Sequence, residues 1–205
     1  MENEKIFAHY GCGLCAPKTW SNFDASPSLR IQRLPFLGQL LARWIGLPKF
    51  PPNVRFGNIV HGLPLPPGSC AAIYCSHVLE HLSFEDSLKA LKNTYELLEP
   101  NGVFRLVVPD LESAARDYLA SSDVRACERF MEVTLLGHPK RLRSLSQIIR
   151  NHLGNSRHLW MWDNQELNIW NNQKNNSAQG RSHRRLMLSG TVARRRLNGC
   201  CWCWQ

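Results

Sequence analysis

No stretch of this 205-residue chain stays apolar for the roughly 20 residues that a bilayer-crossing helix requires. The opening residues MENEKIF are acidic and run into no apolar core, so the pattern of a secretory leader is missing too. Both absences point to the cytoplasm, where the eight cysteines are expected as reduced thiols rather than disulfides. Cys12-x-x-Cys15 has the spacing of half a zinc site, but Cys200, Cys201 and Cys203 supply no second spaced pair, and no metal is assigned. Acid is missing from one end of the chain, since all 16 acidic residues lie at or before Glu166. Up to residue 167 they face 18 basic residues, a net charge of +2, and the remaining residues carry +7 of the formal +9. The body therefore has no basic stripe interleaved with aromatics, which sets nucleic acid aside as its partner. Only the Arg-rich end keeps nucleic-acid binding open as an alternative.

At this length the chain is expected to hold one domain with a real core. Its clearest stretch is CAAIYCSHVLEHLSFEDSLKALKNTYELLEPNGVFRLVVPDLE, residues 70–112. Ala71 to Cys75 reads as a short strand. Ser83, with Asp86 three residues on, has the spacing of a capping box, so a helix is expected from Phe84. Phe84, Leu88, Leu91, Tyr95 and Leu98 recur at steps of four and three, one stripe at a period of 3.6. Pro100, Asn101 and Gly102 stop it, and Val103 to Val108 follows as a β-branched strand of the kind buried in a parallel sheet. Strand, crossover helix and parallel strand make a βαβ unit, which places ligands at the carboxyl ends of its strands. Here those ends are Cys75-Ser76-His77 and Pro109-Asp110.

Earlier, residues 4–10 read as a first strand running into Gly11-Cys12-Gly13, where two glycines allow a sharp turn. Trp20 to Ala25 reads as a second strand ending at Asp24. Only ten residues separate Gly13 from Asp24, so the helix usual between parallel strands is reduced to a turn. A helix is expected over 36–46, either packed on a sheet face or offering Phe36, Leu37, Leu40, Leu41 and Trp44 as a lid or membrane-surface contact. Val54 to Ile59 reads as a third strand. Helices are expected around Ser113 to Ala120 and Val124 to Leu135, with a basic segment from Gly137 to Leu153 after them.

Ser76-His77-Val78-Leu79-Glu80-His81-Leu82, Leu98-Glu99-Pro100-Asn101-Gly102 and the earlier Gly11-Cys12-Gly13, in this order and spacing, resemble the class I S-adenosylmethionine-dependent methyltransferases, in particular the type-11 methyltransferase domains. The resemblance covers roughly residues 5–167 and implies a Rossmann-like α/β sheet with helices on both faces. It implies S-adenosyl-L-methionine as cofactor, with Gly11, Cys12 and Gly13 at its methionine end, Asp24 at the ribose, Asn58 and Ile59 at the adenine, and Ser76 near the methyl group. His77 becomes the candidate base, its ordinary pKa being close to neutral. Glu80 and His81 are read as tying the loop to its surroundings rather than as catalytic. The acceptor is expected to be a small molecule, and an inactive or cofactor-binding remnant is the alternative. Residues 1–167 are read as the methyltransferase-like domain and 168–205 as a basic, disordered tail. In that tail no strand is expected, so the sheet lacks the usual final antiparallel strands.

Overall fold

A computed structural model describes residues 5–137, 158–177 and 184–191. Strands β1 (Ile6–Tyr10), β2 (Ser21–Asp24), β3 (Val54–Phe56), β4 (Cys70–Ser76), β5 (Leu98–Pro109) and β6 (Arg185–Thr191) form one sheet in the order β3-β2-β1-β4-β5-β6. Each neighbouring pair is parallel. The strand order reverses between β1 and β4, and such a switch point opens a crevice at the carboxyl ends of the strands. Around the sheet lie α1 (Pro27–Gln32), α2 (Gly38–Ile45), α3 (Phe84–Leu97), α4 (Leu111–Ala120), α5 (Ala126–Thr134) and α6 (Asn164–Ser177).

Alternation along β1 sorts its side chains. Ala8 and Tyr10 join the main core with Ile73 and Cys75 of β4, Phe104 and Leu106 of β5, Ala90, Leu91 and Leu97 of α3, and Trp162 and Leu167. Phe7 and His9 contact Trp20 and Tyr74 instead. Of the expected α3 stripe, Leu91 is buried and Leu88 packs on the core from a partly buried position, while Phe84 is exposed and Ser87, Ala90, Thr94 and Leu97 complete the buried face. The Ser83 hydroxyl accepts the Asp86 N–H at 3.2 Å at the helix start. At the other end the helix passes directly into β5. Cys70 pairs with Leu98 and Ala72 with Val103, so the intervening Pro100-Asn101-Gly102 forms a bulge at the start of the strand. A Cβ on Gly102 would stand 2.9 Å from the Glu99 carbonyl oxygen and 3.0 Å from that of Cys70, which is why glycine occupies the close approach.

Three expectations need correction. The helix near 36–46 does not lie on a sheet face: Leu40 is 68% and Trp44 86% exposed, and Phe36 and Leu37 before it are exposed as well. Its neighbour α1 already makes the sheet contact, through Leu29 packed on Cys12 and Val54. The third strand stops at Phe56, because the Asn58 side chain accepts the Val60 N–H and begins a short turn over Ile59–His61. Most clearly, Arg185–Thr191 is a strand, where none was expected beyond residue 168. Its residues pair one for one with Val103–Pro109, so the outer edge of the long β5 strand supplies the hydrogen-bonding partner that a weakly patterned segment needs. The family's usual antiparallel strands at this edge were not expected in this chain, and β6 is parallel. The expected domain boundary at 167/168 falls inside α6. The segment from Gly137 to Leu153 lies almost wholly outside the described residues.

Candidate functional site

At the carboxyl ends of β1, β2, β3 and β4 the chain encloses a cleft of about 240 Å³. It is lined by Tyr10 and Gly11 after β1, Asp24 to Ser26 after β2, Gly57 to Ile59 after β3, and His77, Val78, His81 and Leu82 after β4. Each wall is a strand end or the residues just past it, as the switch point requires.

Asp24 is 6% exposed and held at both oxygens. Oδ2 accepts the Gly13 N–H at 2.9 Å and Oδ1 the Ser26 N–H at 2.8 Å. A carboxylate oxygen takes more than one hydrogen bond, so the fixed group can still accept from ligand hydroxyls. Gly11 and Gly13 both have positive φ, 65° and 53°. Their surroundings differ. A Cβ on Gly11 would collide with Val78 Cγ2 at 2.0 Å, so glycine there serves the packing of two loops, whereas a Cβ on Gly13 would meet nothing within 4 Å. Asn58 spends its carbonyl oxygen on the Val60 N–H and keeps its amide group as a donor.

His77 also adopts positive φ, 55°, an uncommon conformation for a residue with a side chain. Its N–H donates to the Val107 carbonyl at 3.0 Å, which ties the end of β4 to β5. Its Nδ1 lies 2.8 Å from Glu80 Oε1. Glu80 is fully buried while the His77 side chain is 47% exposed, so a buried carboxylate orients an accessible imidazole. The hydrogen bond to Glu80 raises the His77 pKa above its ordinary value, against the opposing effect of burial. Burial pushes the Tyr10 hydroxyl and the Cys75 thiol well above their usual ranges, so neither supplies an anion near the cleft. His9, behind Asp24 on β1, is lowered to about 4 by burial, partly offset by the Asp24 charge.

Of the residues singled out in the sequence, Gly11, Asp24, Asn58, Ile59 and His77 come together in the cleft. Cys12, Gly13 and Ser76 are not in its lining. The Cys12 side chain turns away to pack with Leu29 and Val54, because its N–H is committed to the Phe23 carbonyl at 3.1 Å. Gly13 acts one step back, by holding Asp24. Sequence reasoning missed the His77–Glu80 contact. The signal was their three-residue separation, with His77 just ahead of the short turn, Leu79–His81, that carries Glu80. A larger groove of about 540 Å³ between α3 and α6 contains none of the singled-out residues and lies away from the strand ends.

A family model described as a methyltransferase domain matches residues 10–175. No curated protein matches the chain. Several solved structures resemble it, among them these three. "PigF with SAH" is 20% identical with a TM-score of 0.30, covering 49% of this chain and 30% of that one. PKMT2 from Rickettsia typhi in complex with AdoHcy is 17% identical with a TM-score of 0.36, covering 80% and 33%. The small RNA methyltransferase HEN1 is 14% identical with a TM-score of 0.40, covering 84% and 19%. This chain thus spans a third or less of the length of each.

Proposed function

Because the chain belongs to the methyltransferase-domain family, we propose that it uses S-adenosyl-L-methionine to methylate a small-molecule acceptor within the cleft at the strand ends. The observation that carries this reading is the Asp24 carboxylate, fixed by two backbone N–H groups at the mouth of β2 and facing the same cleft as Gly11, Asn58 and His77. The residues present fit the cofactor. Asp24 would accept from the ribose hydroxyls, the open position over Gly13 would leave room beside the glycine turn, and the Asn58 amide, its oxygen taken by the Val60 N–H, would donate to the adenine. Ser76, at the end of β4, stands next to His77.

When bound, the cofactor supplies an activated sulfonium methyl group, so the protein's share of the work is alignment and the handling of one proton. His77 takes that share. Glu80 on Nδ1 fixes the tautomer and makes the imidazole more basic, leaving Nε2 to accept the proton that leaves an O–H or N–H acceptor as its bond to carbon forms. A body with a net charge of only +2 favours a small acceptor over a nucleic acid.

Calorimetric titration of S-adenosylhomocysteine into the full chain tests the reading. Micromolar binding is expected, weakened at least tenfold in Asp24→Asn. His77→Ala is expected to abolish turnover with any accepted acceptor while retaining that affinity. No binding by a chain shown to be folded would overturn the proposal.

A further inference from the structure

Glu80 is 0% exposed, and one of its two oxygens is accounted for by His77. The other, Oε2, has no hydrogen-bond partner. A buried carboxylate oxygen left unpaired costs about 1–3 kcal/mol or more, so an orphan of this kind calls for an explanation. Two imidazoles stand beside it. His81 and His158 meet edge to face, ring centroids 5.1 Å apart, and one ligand atom from each of Glu80, His81 and His158 lies within 4.8 Å of the others. His158 Nδ1 is a second buried atom with no partner.

We propose that Glu80, His81 and His158 bind a first-row divalent cation beside the cleft, and that the ion offers an open coordination position to an oxygen of the methyl acceptor. The second half rests on the methyl-transfer reading; the binding does not.

The donor set selects the class of ion. Two imidazole nitrogens and one carboxylate suit zinc, cobalt, manganese or iron better than magnesium or calcium, which prefer oxygen throughout. At metal–ligand distances of about 2.0–2.2 Å, a tetrahedral ion holds its ligand atoms roughly 3.4 Å apart, so the trio, now within 4.8 Å of one another, closes with side-chain adjustments of about 1 Å. Outer support is in place for the carboxylate, since Glu80 Oε1 is held by His77. The backbone fixes the spacing as well: the Leu159 N–H donates to the Glu80 carbonyl at 2.6 Å, and Asp110 forms an isolated β-bridge with Trp162, which ties residues 158–162 to the loop after β4 and the end of β5. Three protein ligands rather than four is the pattern of a catalytic site with a position open. Both His81 and His77 line the cleft, so that position adjoins the space where an acceptor would sit.

The test is titration of the metal-free full chain with cobalt chloride, followed by visible absorption, with zinc chloride as competitor. Saturable d–d bands without a thiolate charge-transfer band are expected. His158→Gln should weaken cobalt binding 10- to 100-fold while S-adenosylhomocysteine affinity is retained, and Glu80→Gln should do the same provided circular dichroism shows it folded. Absence of cobalt bands in the folded chain would overturn the proposal, as would a thiolate band, which would place the ion on cysteines. So would unchanged affinity in both His158→Gln and His81→Gln. Cobalt binding without S-adenosylhomocysteine binding would sustain the ion site and remove the methyl-transfer reading.

Discussion

Helices α2 and α3 carry similarly spaced apolar residues, yet α3 buries one face against the sheet while the large apolar side chains of α2 face water. In α3, Leu91 is 1% exposed and Ala90 fully buried; in α2, Leu40 is 68% and Trp44 86% exposed. The difference lies in the connections. α3 joins two adjacent parallel strands, so its crossover must lie against the sheet. α2 follows α1, whose Leu29 has already taken the packing position over Val54, and the same chain segment cannot cover that site twice. Periodicity tells which face of a helix is apolar. What covers that face depends on where the chain must go before and after it.

Leu91→Ala tests the comparison hardest. A buried leucine at this site should cost about 2–5 kcal/mol, read as a fall in the urea midpoint, and a loss below about 1 kcal/mol would mean that α3 is no more committed to the sheet than α2. Next comes His9, a polar residue in the same buried sheet. Its pKa is about 4 in the fold and near 6.5 when unfolded, so below pH 6.5 the unfolded chain takes up a proton that the fold refuses. That part of the stability is complete above pH 6.5, lost as the pH falls toward 4 and level below it, amounting to about 3 kcal/mol at 1.4 kcal/mol per pH unit. Urea midpoints measured from pH 7 to pH 4 should fall more steeply for the native chain than for His9→Gln; equal slopes would refute it. Ser83→Ala removes the cap of α3 and should cost about 1 kcal/mol. Smallest of all, Leu40→Ser in α2 should change stability by less than about 0.5 kcal/mol, and a larger loss would show that something covers that face in solution.

The β4–α3–β5 unit was legible because its signals are local: a cap, a stripe and a Pro-Asn-Gly break within a few turns of one another. β6 was not, since Arg185–Thr191 becomes a strand through the free edge of β5, a partner distant in sequence. Gly11, Asp24, Asn58, Ile59 and His77, named from the family resemblance, do line one cleft at or shortly after strand ends. Cys12 could not be placed, because the direction of its side chain depends on a hydrogen bond to Phe23 across the sheet. Glu80 was read as tying the loop to its surroundings, and the structure joins it to His77. The Glu80–His81–His158 cluster was hidden as well, its third member arriving from far along the chain.

The seven-residue pairing of β6 with β5 also orders the assembly of the molecule. Contacts within β4–α3–β5 close short loops, while the β5–β6 ladder joins segments far apart along the chain, and distant parallel pairings form late. For an interval during folding, β5 therefore presents a row of unpaired backbone groups that a neighbouring chain can occupy as readily as β6. Refolding yield should accordingly fall as protein concentration rises, because the competitor for that edge is another copy of the same molecule.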